Sequence, residues 1–581
     1  MSNIISTQPC LVETRQGFSV LYENKYLYSK YSPKESIKKV IDNLTILPNT
    51  LILCFSPVLG YGLEKLFSIL PENTFVIGIE RDKNLYDFSK SSSESIIPSL
   101  LETKENFLYI NFESPLEIAK LVNNLSSIEF PKLANFKRAL PIEFSGGVQL
   151  NFEFYKNVVN LVDDSISQFW KNRTTLIKLG RLYAGNFFKN LKDIATSSKD
   201  DSFYIHDLKK LTKNKTLLVL GTGISLDNFL PKLKNKIETS SFREKLFIIV
   251  VDASLPVVLK YNIFPDLVVG VEGQLAIEKA YIGSKNTKIN FASDLLSRPS
   301  IKRILNGKNC FFISKYTNEI FFDSFSQIAS KLNIPVIEPL GSVGLVALEL
   351  ALFCENQNKI YCCGLDFSFI PGKTHGNGAP VHTNILSNCN KLFSTEQFSS
   401  SFNETNFFIQ GLSSKINPSN KELTSKALFN YGQHFIKRYS RITKLYNLGD
   451  FGMLTKIPSV NFQYFFSDIS ESIQNEKIKE KITDKKTSTI KFDSRIHNLE
   501  NDISSIKQTV KDFLSIQHEK LTEIKEILIG NKDSTNLRSL LQDCGYLYLH
   551  FPDGEKGPKL IPDFLKRIRA EVEYFLKITD I

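Results

Sequence analysis

Several features that assign a protein to a class at once are missing from this sequence of 581 residues. Its start, MSNIISTQPCLVET, has neither the basic segment nor the apolar run of a secretory signal, so we expect a cytoplasmic protein. The longest apolar stretch, GLVALELALFC, is too short to cross a bilayer and contains Glu349, which predicts a buried helix and no membrane span. The 8 cysteines include no Cys-x-x-Cys pair, which argues against zinc and redox motifs and fits a reducing compartment.

The charge of the chain is basic but dispersed. There are 72 Lys and Arg residues against 61 Asp and Glu residues, which gives a net charge of +11. Because the basic residues are scattered among acidic ones, the pattern favours a solvated surface, and we expect no nucleic-acid partner. A small anionic ligand is compatible with the positive excess.

The pattern of apolar residues divides the chain into four regions. Residues 1–157 contain the run LILCFSPVLGYGLEKLFSIL followed by TFVIGIERD, which predicts strand, helix and strand and hence an α/β domain. Residues 158–201 have helical spacing and end in the polar run SSKDDS, which predicts a helical connector. In residues 451–581 apolar residues recur at spacings of three and four, which predicts a C-terminal helical domain.

The N-terminal α/β domain contains a loop similar to the one that binds adenosylmethionine in methyltransferases. Gly60 and Gly62 lie between the two predicted strands, and the second strand ends in Glu80. Ser56 and Pro57 occupy the start of the loop, where smaller residues would let a ligand approach the backbone. We therefore expect this domain to have the shape of such a methyltransferase domain but not to bind adenosylmethionine.

The fourth region, residues 202–450, alternates apolar strands with helices. Strands this apolar are buried on both faces, which requires a mostly parallel sheet covered by helices. The predicted fold class is therefore α/β, with a central doubly wound, Rossmann-like domain between the N-terminal α/β domain and the C-terminal helical domain. The predicted strands lie in the segments TLLVLG, KLFIIVVDAS, DLVVGVEG, KINFAS, NCFFIS, IPVIEPLG and KIYCCGLDFSF.

Ligands of such a sheet bind at the carboxyl ends of its strands, so the residues that follow each strand form the candidate site. Two Gly and Ser loops there lead into helices, whose first N–H groups and dipoles would hold phosphate. Acidic residues at the same edge would accept hydrogen bonds from ribose hydroxyls or from the amino group of a base. The predicted nucleotide-binding residues are Gly221, Thr222, Gly223, Ser225, Asp252, Ser254, Glu272, Asp294, Gly341, Ser342, Val343 and Gly344.

Residues that this site lacks narrow the choice of nucleotide. A dinucleotide fingerprint needs a third glycine, but Leu226 stands in its place, which disfavours NAD. The glycine turn has no Gly-Lys-Ser or Gly-Lys-Thr of a Walker loop. The chain also has no Asp-x-Asp pair, with which glycosyltransferases usually hold a metal on the donor. We therefore expect a donor that requires no metal.

Four segments resemble, in the same order, the central domain of the motility accessory factor (Maf) proteins, which are bacterial flagellin glycosyltransferases. They are GTGISLDNFLPKL, VVDASLPVVLKYNIFPDLVVGVEGQ, GSVGLVALELALF and KIYCCGLDFSFIPGKTHGNG. The predicted strand, helix and strand of residues 1–157 resemble the N-terminal domain of Maf proteins. In addition, GRLYAGNFFKNL resembles their connector, and YNLGDFG resembles the end of their central domain.

The Maf central domain is similar to bacterial sialyltransferases that use a cytidine monophosphate (CMP) sugar. The resemblance therefore implies an inverting transfer of a sialic-acid-like nonulosonic acid, pseudaminic or legionaminic acid, to Ser or Thr of flagellin. The CMP-sugar would be the donor substrate, and no cofactor would be required. Two positions depart from the family pattern, because Ile224 replaces a proline before the loop serine and Glu272 replaces a frequent aspartate.

An acceptor hydroxyl needs a general base, and the sequence offers His375 in the loop after the last predicted strand. Glu272 and Asp366 are carboxylates at the same edge and share the candidate catalytic role. Two other functions stay open. The central domain also resembles an archaeal hydroxymethylpterin diphosphokinase, in which Asp252, Glu272 and Asp366 would hold magnesium. The third reading is a catalytically inactive escort that binds flagellin through the C-terminal helices.

Overall fold

The structure is a computed structural model that describes residues 8–123, 133–196, 205–238, 240–313, 334–337, 341–354, 359–398, 406–417, 422–483, 495–554 and 557–580. It consists of two compact units, Met1–Lys178 with Phe551–Lys556, and Leu179–His550 with Gly557–Ile581. The predicted boundary run SSKDDS lies entirely in the gap at 197–204, outside the described residues. The boundaries of the four predicted regions stay a prediction.

The first unit is an α/β unit with two sheets. Its strands are β1 (Cys10–Thr14), β2 (Gly17–Tyr22), β3 (Lys25–Tyr26), β4 (Thr50–Phe55), β5 (Phe75–Glu80), β6 (Phe107–Asn111) and β7 (Arg138–Glu143). Its helices are α1 (Pro33–Asp42), α2 (Leu63–Ser68), α3 (Lys83–Ser91), α4 (Ile97–Thr103), α5 (Pro115–Asn123) and the first part of α6 (Phe152–Thr196). Strands β1 to β3 pair antiparallel, whereas β6, β5, β4 and β7 form a parallel sheet in that order.

The strand, helix and strand predicted for this unit are confirmed as β4, α2 and β5. Side chains of the unit itself fill the space beside the loop between β4 and α2. A Cβ atom added at Gly60 would lie 2.7 Å from Ile96 Cγ1, and one added at Gly62 would lie 2.7 Å from Ile41 Cδ1. Both glycines have left-handed φ angles, +75° and +87°, which other residues rarely adopt. The loop glycines are therefore required by the packing of this unit.

The second unit contains a larger parallel sheet and most of the helices described. Its strands are β8 (Thr216–Leu220), β9 (Leu246–Val251), β10 (Leu267–Gly270), β11 (Asn290–Asp294), β12 (Asn309–Phe312), β13 (Ile360–Cys363), β14 (Phe407–Ile409), β15 (Glu422–Thr424) and β16 (Leu445–Asn447). The helices up to β13 are α7 (Ile205–Leu211), α8 (Leu226–Ile237), α9 (Ser240–Glu244), α10 (Leu255–Lys260), α11 (Ile301–Ile304) and α12 (Val343–Phe353). Those after β13 are α13 (Pro380–Asn388), α14 (Thr395–Phe398), α15 (Leu412–Ile416), α16 (Lys426–Tyr439), α17 (Phe462–Thr483), α18 (Arg495–Leu528), α19 (Leu537–Asp543) and α20 (Pro562–Thr579).

The central sheet confirms the predicted doubly wound α/β fold. Its strand order is β12-β11-β10-β9-β8-β13-β16, and all neighbouring strands are parallel. All residues of β8, β9, β10 and β13 are buried, as expected for strands covered by helices on both faces. The chain runs outward from β8 to β12 and then returns to the other side of β8 as β13. The strand order therefore reverses between β8 and β13, which is where ligands bind in sheets of this type.

Six of the seven predicted central strands are confirmed, as β8 to β13. The segment IPVIEPLG lies partly outside the described residues, and its described part makes a single bridge between Ile313 and Val336. The segment GLVALELALFC is the buried helix that its composition predicts, because α12 packs against β8 and β9. Among the described residues, no helix is long and apolar enough to span a membrane.

The C-terminal helices pack on the second part of α6. Phe187 and Phe188 are fully buried, and their rings contact Phe513 of α18 and Phe575 of α20 at centroid distances of 6.5 and 5.7 Å. The predicted amphipathic helix is confirmed as α18, where Val510 and its apolar neighbours are buried. These helices therefore form part of the hydrophobic core of the second unit.

Candidate functional site

A cavity of about 480 Å³ lies where the strand order reverses, and we name it the switch-point cavity. The ends of β8, β9 and β13 and the start of α12 meet there, as the parallel order requires. Of the residues predicted from the sequence, it is lined by Gly221, Thr222, Gly223, Asp252, Ser342, Val343, Gly344, Asp366 and His375. The structure therefore brings two predicted loops, one predicted nucleotide-binding acid and two candidate catalytic residues together.

The glycine turn after β8 is packed tightly against the end of β13. A Cβ atom at Gly221 would lie 2.3 Å from Gly364 O, and one at Gly223 would lie 2.3 Å from Asp366 Oδ2. The Gly223 N–H donates to Gly364 O at 2.8 Å. Only glycine fits at these two positions, so they hold the two strand ends together as well as lining the cavity.

The second loop leads into α12, a helix of 11 residues. The Ser342 Oγ atom caps the helix by accepting a hydrogen bond from Gly344 N at 3.3 Å. Gly341 has a φ angle of +85°, and a Cβ atom there would lie 2.1 Å from the Tyr431 ring. The start of α12 and the positive end of its dipole are therefore placed at the switch-point cavity, where an anion would be stabilised.

Asp366 and Ser225 bind each other at the floor of the site. The Ser225 Oγ and N atoms donate to the two carboxylate oxygens of Asp366 at 2.6 and 2.9 Å. Ser225 Oγ also accepts from Gly364 N at 2.9 Å. Burial raises the pKa of Asp366 to about 7. Both carboxylate oxygens are engaged by Ser225, so this pair fixes the glycine turn relative to β13.

Asp252 at the end of β9 has an oxygen atom without a partner. Its side chain is buried, and its Oδ1 accepts from Ala253 N at 2.7 Å, whereas Oδ2 has no hydrogen-bond partner within the described part of the chain. Burial and the nearby charge of Glu272 raise the pKa of Asp252 to about 7. Asp252 lines the cavity, and a buried carboxylate oxygen without a partner is the kind of acceptor that a ligand hydroxyl or amino group would satisfy.

His375 lies in the loop of residues 372–378, which follows β13 and lines the cavity together with Thr374. Its Nδ1 atom lies 3.0 Å from Thr374 Oγ1. Burial, and to a smaller extent His382, lower the pKa of His375 below its usual value. The imidazole is therefore neutral at neutral pH, in the state that accepts a proton.

Five predicted residues lie outside the described lining of the cavity: Ser225, Ser254, Glu272, Asp294 and Gly341. The four of them that have polar side chains use these side chains to bind the protein itself. The Ser254 hydroxyl contacts Leu220 O at 3.0 Å, Glu272 Oε1 accepts from Gln274 N at 2.9 Å, and Asp294 Oδ1 accepts from Leu296 N at 3.1 Å.

One wall of the cavity was not predicted from the sequence. Part of it follows β13 directly, and part comes from residues far along the chain. It consists of Phe367, Ser368, Phe369, Val381, Asn406, Ser425 and Leu428. Ser425 caps α16 by accepting from Leu428 N at 3.2 Å, so a serine before an amphipathic run was the sequence signal available. The apolar pattern alone does not place this helix at the site.

Comparisons with known proteins agree with this fold. Residues 185–372 match a family model described as 6-hydroxymethylpterin diphosphokinase MptE-like. An uncharacterized protein of Treponema pallidum (strain Nichols) is 31% identical over 586 residues, which cover 99% of this chain and 96% of that protein. The structure of a MAf glycosyltransferase from Magnetospirillum magneticum AMB-1 has a TM-score of 0.53 and 13% identity, with 98% of this chain and 91% of that chain covered. The resemblance to Maf proteins is thereby confirmed at the level of the fold.

Proposed function

This chain belongs to one family with the uncharacterized Treponema pallidum protein, and we propose that it is a cytoplasmic glycosyltransferase with a CMP-sugar donor. The donor would carry a nonulosonic acid, pseudaminic or legionaminic acid, and the acceptor would be Ser or Thr of flagellin. The fold shared with a MAf glycosyltransferase supports the reaction class. Donor and acceptor rest on the resemblance of the sequence segments to Maf proteins.

The switch-point cavity is the observation that carries the proposal. The glycine turn and the start of α12 line it from two sides, an arrangement that suits the single phosphate of CMP. The free Oδ2 atom of Asp252 would accept a hydrogen bond from a ribose hydroxyl. A volume of about 480 Å³ is within the range of small-molecule sites.

The residues of the cavity provide for each part of the proposed transfer. The acceptor hydroxyl oxygen forms a bond to the anomeric carbon of the sugar, while the bond from that carbon to the phosphate oxygen breaks. CMP leaves with the electron pair, and the helix dipole and N–H groups stabilise its charge. His375 takes the proton of the hydroxyl, because burial keeps its imidazole neutral. Attack from the side opposite the leaving group inverts the anomeric centre.

A pterin diphosphokinase is the second candidate, because residues 185–372 match the MptE-like family model. That reaction transfers diphosphate from ATP and uses carboxylates to hold magnesium. Three carboxylates were candidates for this role. Asp252 has an oxygen without a partner among the described residues, whereas both oxygens of Asp366 accept hydrogen bonds from Ser225. Glu272 lies outside the described lining of the cavity. The transferase therefore has the better support from the geometry.

Titration calorimetry with the full chain separates the candidates. We expect CMP to bind in a buffer that contains EDTA. In a separate titration without EDTA, we expect ATP with magnesium and 6-hydroxymethylpterin to bind more weakly than CMP. Tight binding of ATP, magnesium and the pterin with no binding of CMP would replace the transferase by the kinase. A chain that binds flagellin but neither nucleotide would instead be an escort.

A further inference from the structure

The loop that carries His375 is tied to the helix that follows the glycine turn. Asp227, in the first turn of α8, accepts two hydrogen bonds from this loop. Lys373 Nζ donates to Asp227 Oδ2 at 2.5 Å, and Asn377 N donates to Asp227 Oδ1 at 2.8 Å. Lys373 and Asn377 each lie two positions from His375, so a single carboxylate holds the loop on both sides of the histidine.

A backbone contact ties the same loop to the glycine turn itself. Gly376 N donates to Thr222 O at 2.9 Å, and Thr222 lines the switch-point cavity. A Cβ atom at Gly376 would lie 3.1 Å from Gly223 O and 3.3 Å from Asp227 Oδ1. The residue after His375 is thus packed directly on the turn proposed to hold phosphate.

The tie from Asp227 is stronger than a surface ion pair. The Asp227 and Lys373 side chains are 17% and 23% exposed, so water screens their attraction only in part. Without Asp227, the partly buried Lys373 ammonium and the Asn377 N–H would lose their partner. Since an unpaired buried charge is costly, the loop would move outward to solvate Lys373.

We propose that Asp227 is a positioning residue that fixes His375 over the glycine turn. This inference rests on the proposed function for its catalytic consequence, because His375 acts on the acceptor hydroxyl only if its ring stays beside the donor. A displacement of about 1 Å at a reacting group can cost roughly 100-fold in rate. Asp227 lies outside the described lining of the cavity, so it acts through the loop.

The test compares Asp227→Ala with Asn228→Ala at the next position of α8. Asn228 Nδ2 donates to Asp450 Oδ2 at 3.0 Å, so the control also removes a side-chain hydrogen bond from this helix but leaves the histidine loop tied. The first measurement is the rate at which diethyl pyrocarbonate modifies His375, followed by peptide mass spectrometry. We expect this rate to rise about tenfold or more in Asp227→Ala and to stay at the wild-type value in Asn228→Ala.

The second measurement is CMP-sugar transfer, with kcat and KM resolved. Asp227→Ala should lower kcat by roughly 100-fold while the KM for the donor changes little, since the glycine turn and Asp252 remain. If Asp227→Ala does not fold, Lys373→Met removes the ion pair and retains the Asn377 contact, and it should give a smaller change in the same direction. An unchanged modification rate of His375 in a folded variant would overturn the inference. If the modification rate of His375 rises in Asp227→Ala but the wild-type protein transfers no sugar, Asp227 still holds the loop and the proposed function is rejected.

Discussion

At the scale of single residues, three buried carboxyl groups have a pKa well above that of an exposed carboxyl group. Burial raises the pKa of Glu80, Asp252 and Asp366 to about 7 each. Glu80 belongs to the first unit, where Ser56 Oγ and Tyr155 OH donate to it at 2.7 and 3.1 Å. These bonds reduce the cost of its burial but leave the pKa above its ordinary value of 4.5.

Glu80→Gln should stabilise the protein above pH 7 and not at pH 5. A carboxyl group whose pKa is raised by folding favours the folded state at low pH, and this contribution is lost as the pH rises from 4.5 through about 7. The amide removes the loss, which is worth up to about 3 kcal/mol. Urea unfolding at pH 5 and pH 8 measures this difference, and Glu143→Gln at the exposed end of strand β7 in the same sheet is the control variant. Equal effects of Glu80→Gln at both pH values would show that Glu80 is ionised throughout.

Asp252 and Asp294 form a matched pair of variants for testing the proposed nucleotide contact. Both are buried at the carboxyl ends of strands in one sheet, but only Asp252 is among the described lining of the cavity. Asp252→Ala should weaken CMP binding about tenfold or more, because a hydrogen bond to a charged group is lost. In contrast, 2′,3′-dideoxy-CMP should bind wild type and Asp252→Ala alike. Titration calorimetry measures these affinities. A larger loss of CMP affinity in Asp294→Ala than in Asp252→Ala would place the ribose at the end of β11 instead.

At the scale of elements, the sequence pattern was sufficient for six of the seven strands that the structure describes in the central sheet. Strands β8 to β13 are short apolar runs ended by Gly, Asp or Ser, the pattern expected of parallel strands that helices cover on both faces. Strands β14, β15 and β16 have three residues each, too few to give a period. The wall of the cavity that contains Asn406 and Ser425 adjoins these short strands, which is why it was missed.

Position at a strand end does not determine where a side chain points. Glu272 and Asp294 follow β10 and end β11 as predicted, yet each carboxylate accepts from an N–H group two residues further along its own chain. Acids in turns commonly make this local bond, which competes with binding a ligand. The sequence therefore placed these acids at the correct edge but could not show that their oxygens are used locally.

The glycine turn leaves no room for a side chain at Gly223. Gly223→Ala should lower the free energy of unfolding by about 2 kcal/mol, because its Cβ would lie 2.3 Å from a carboxylate that Ser225 holds fixed. Gly545→Ala is the control, since the nearest atom to its Cβ would be 3.8 Å away. Urea unfolding of both variants measures the difference. A Gly223→Ala protein as stable as wild type would mean that the turn opens easily in solution.

At the scale of the whole molecule, the C-terminal helices contribute to folding and are not a detachable arm. Phe187 and Phe188 of α6 are covered by α18 and α20, so ending the chain at residue 494 would expose both rings. We expect the shortened protein to aggregate or to melt at a lower temperature than the full chain, as followed by light scattering and calorimetry. A shortened chain with unchanged melting that fails only to bind flagellin would show instead that these helices serve the acceptor alone.

The proposed reaction of the full chain is the transfer of a nonulosonic acid from a CMP-sugar to flagellin, with His375 as the base. The most direct test is the intact mass of purified flagellin after incubation with this protein and a CMP-activated pseudaminic or legionaminic acid in EDTA. We predict a gain of whole sugar residues with the wild type, a rate that falls as acid protonates His375 below its usual pKa near 6.5, and a roughly 100-fold slower gain with His375→Gln. An unchanged flagellin mass with either donor, while CMP is bound, would contradict the account.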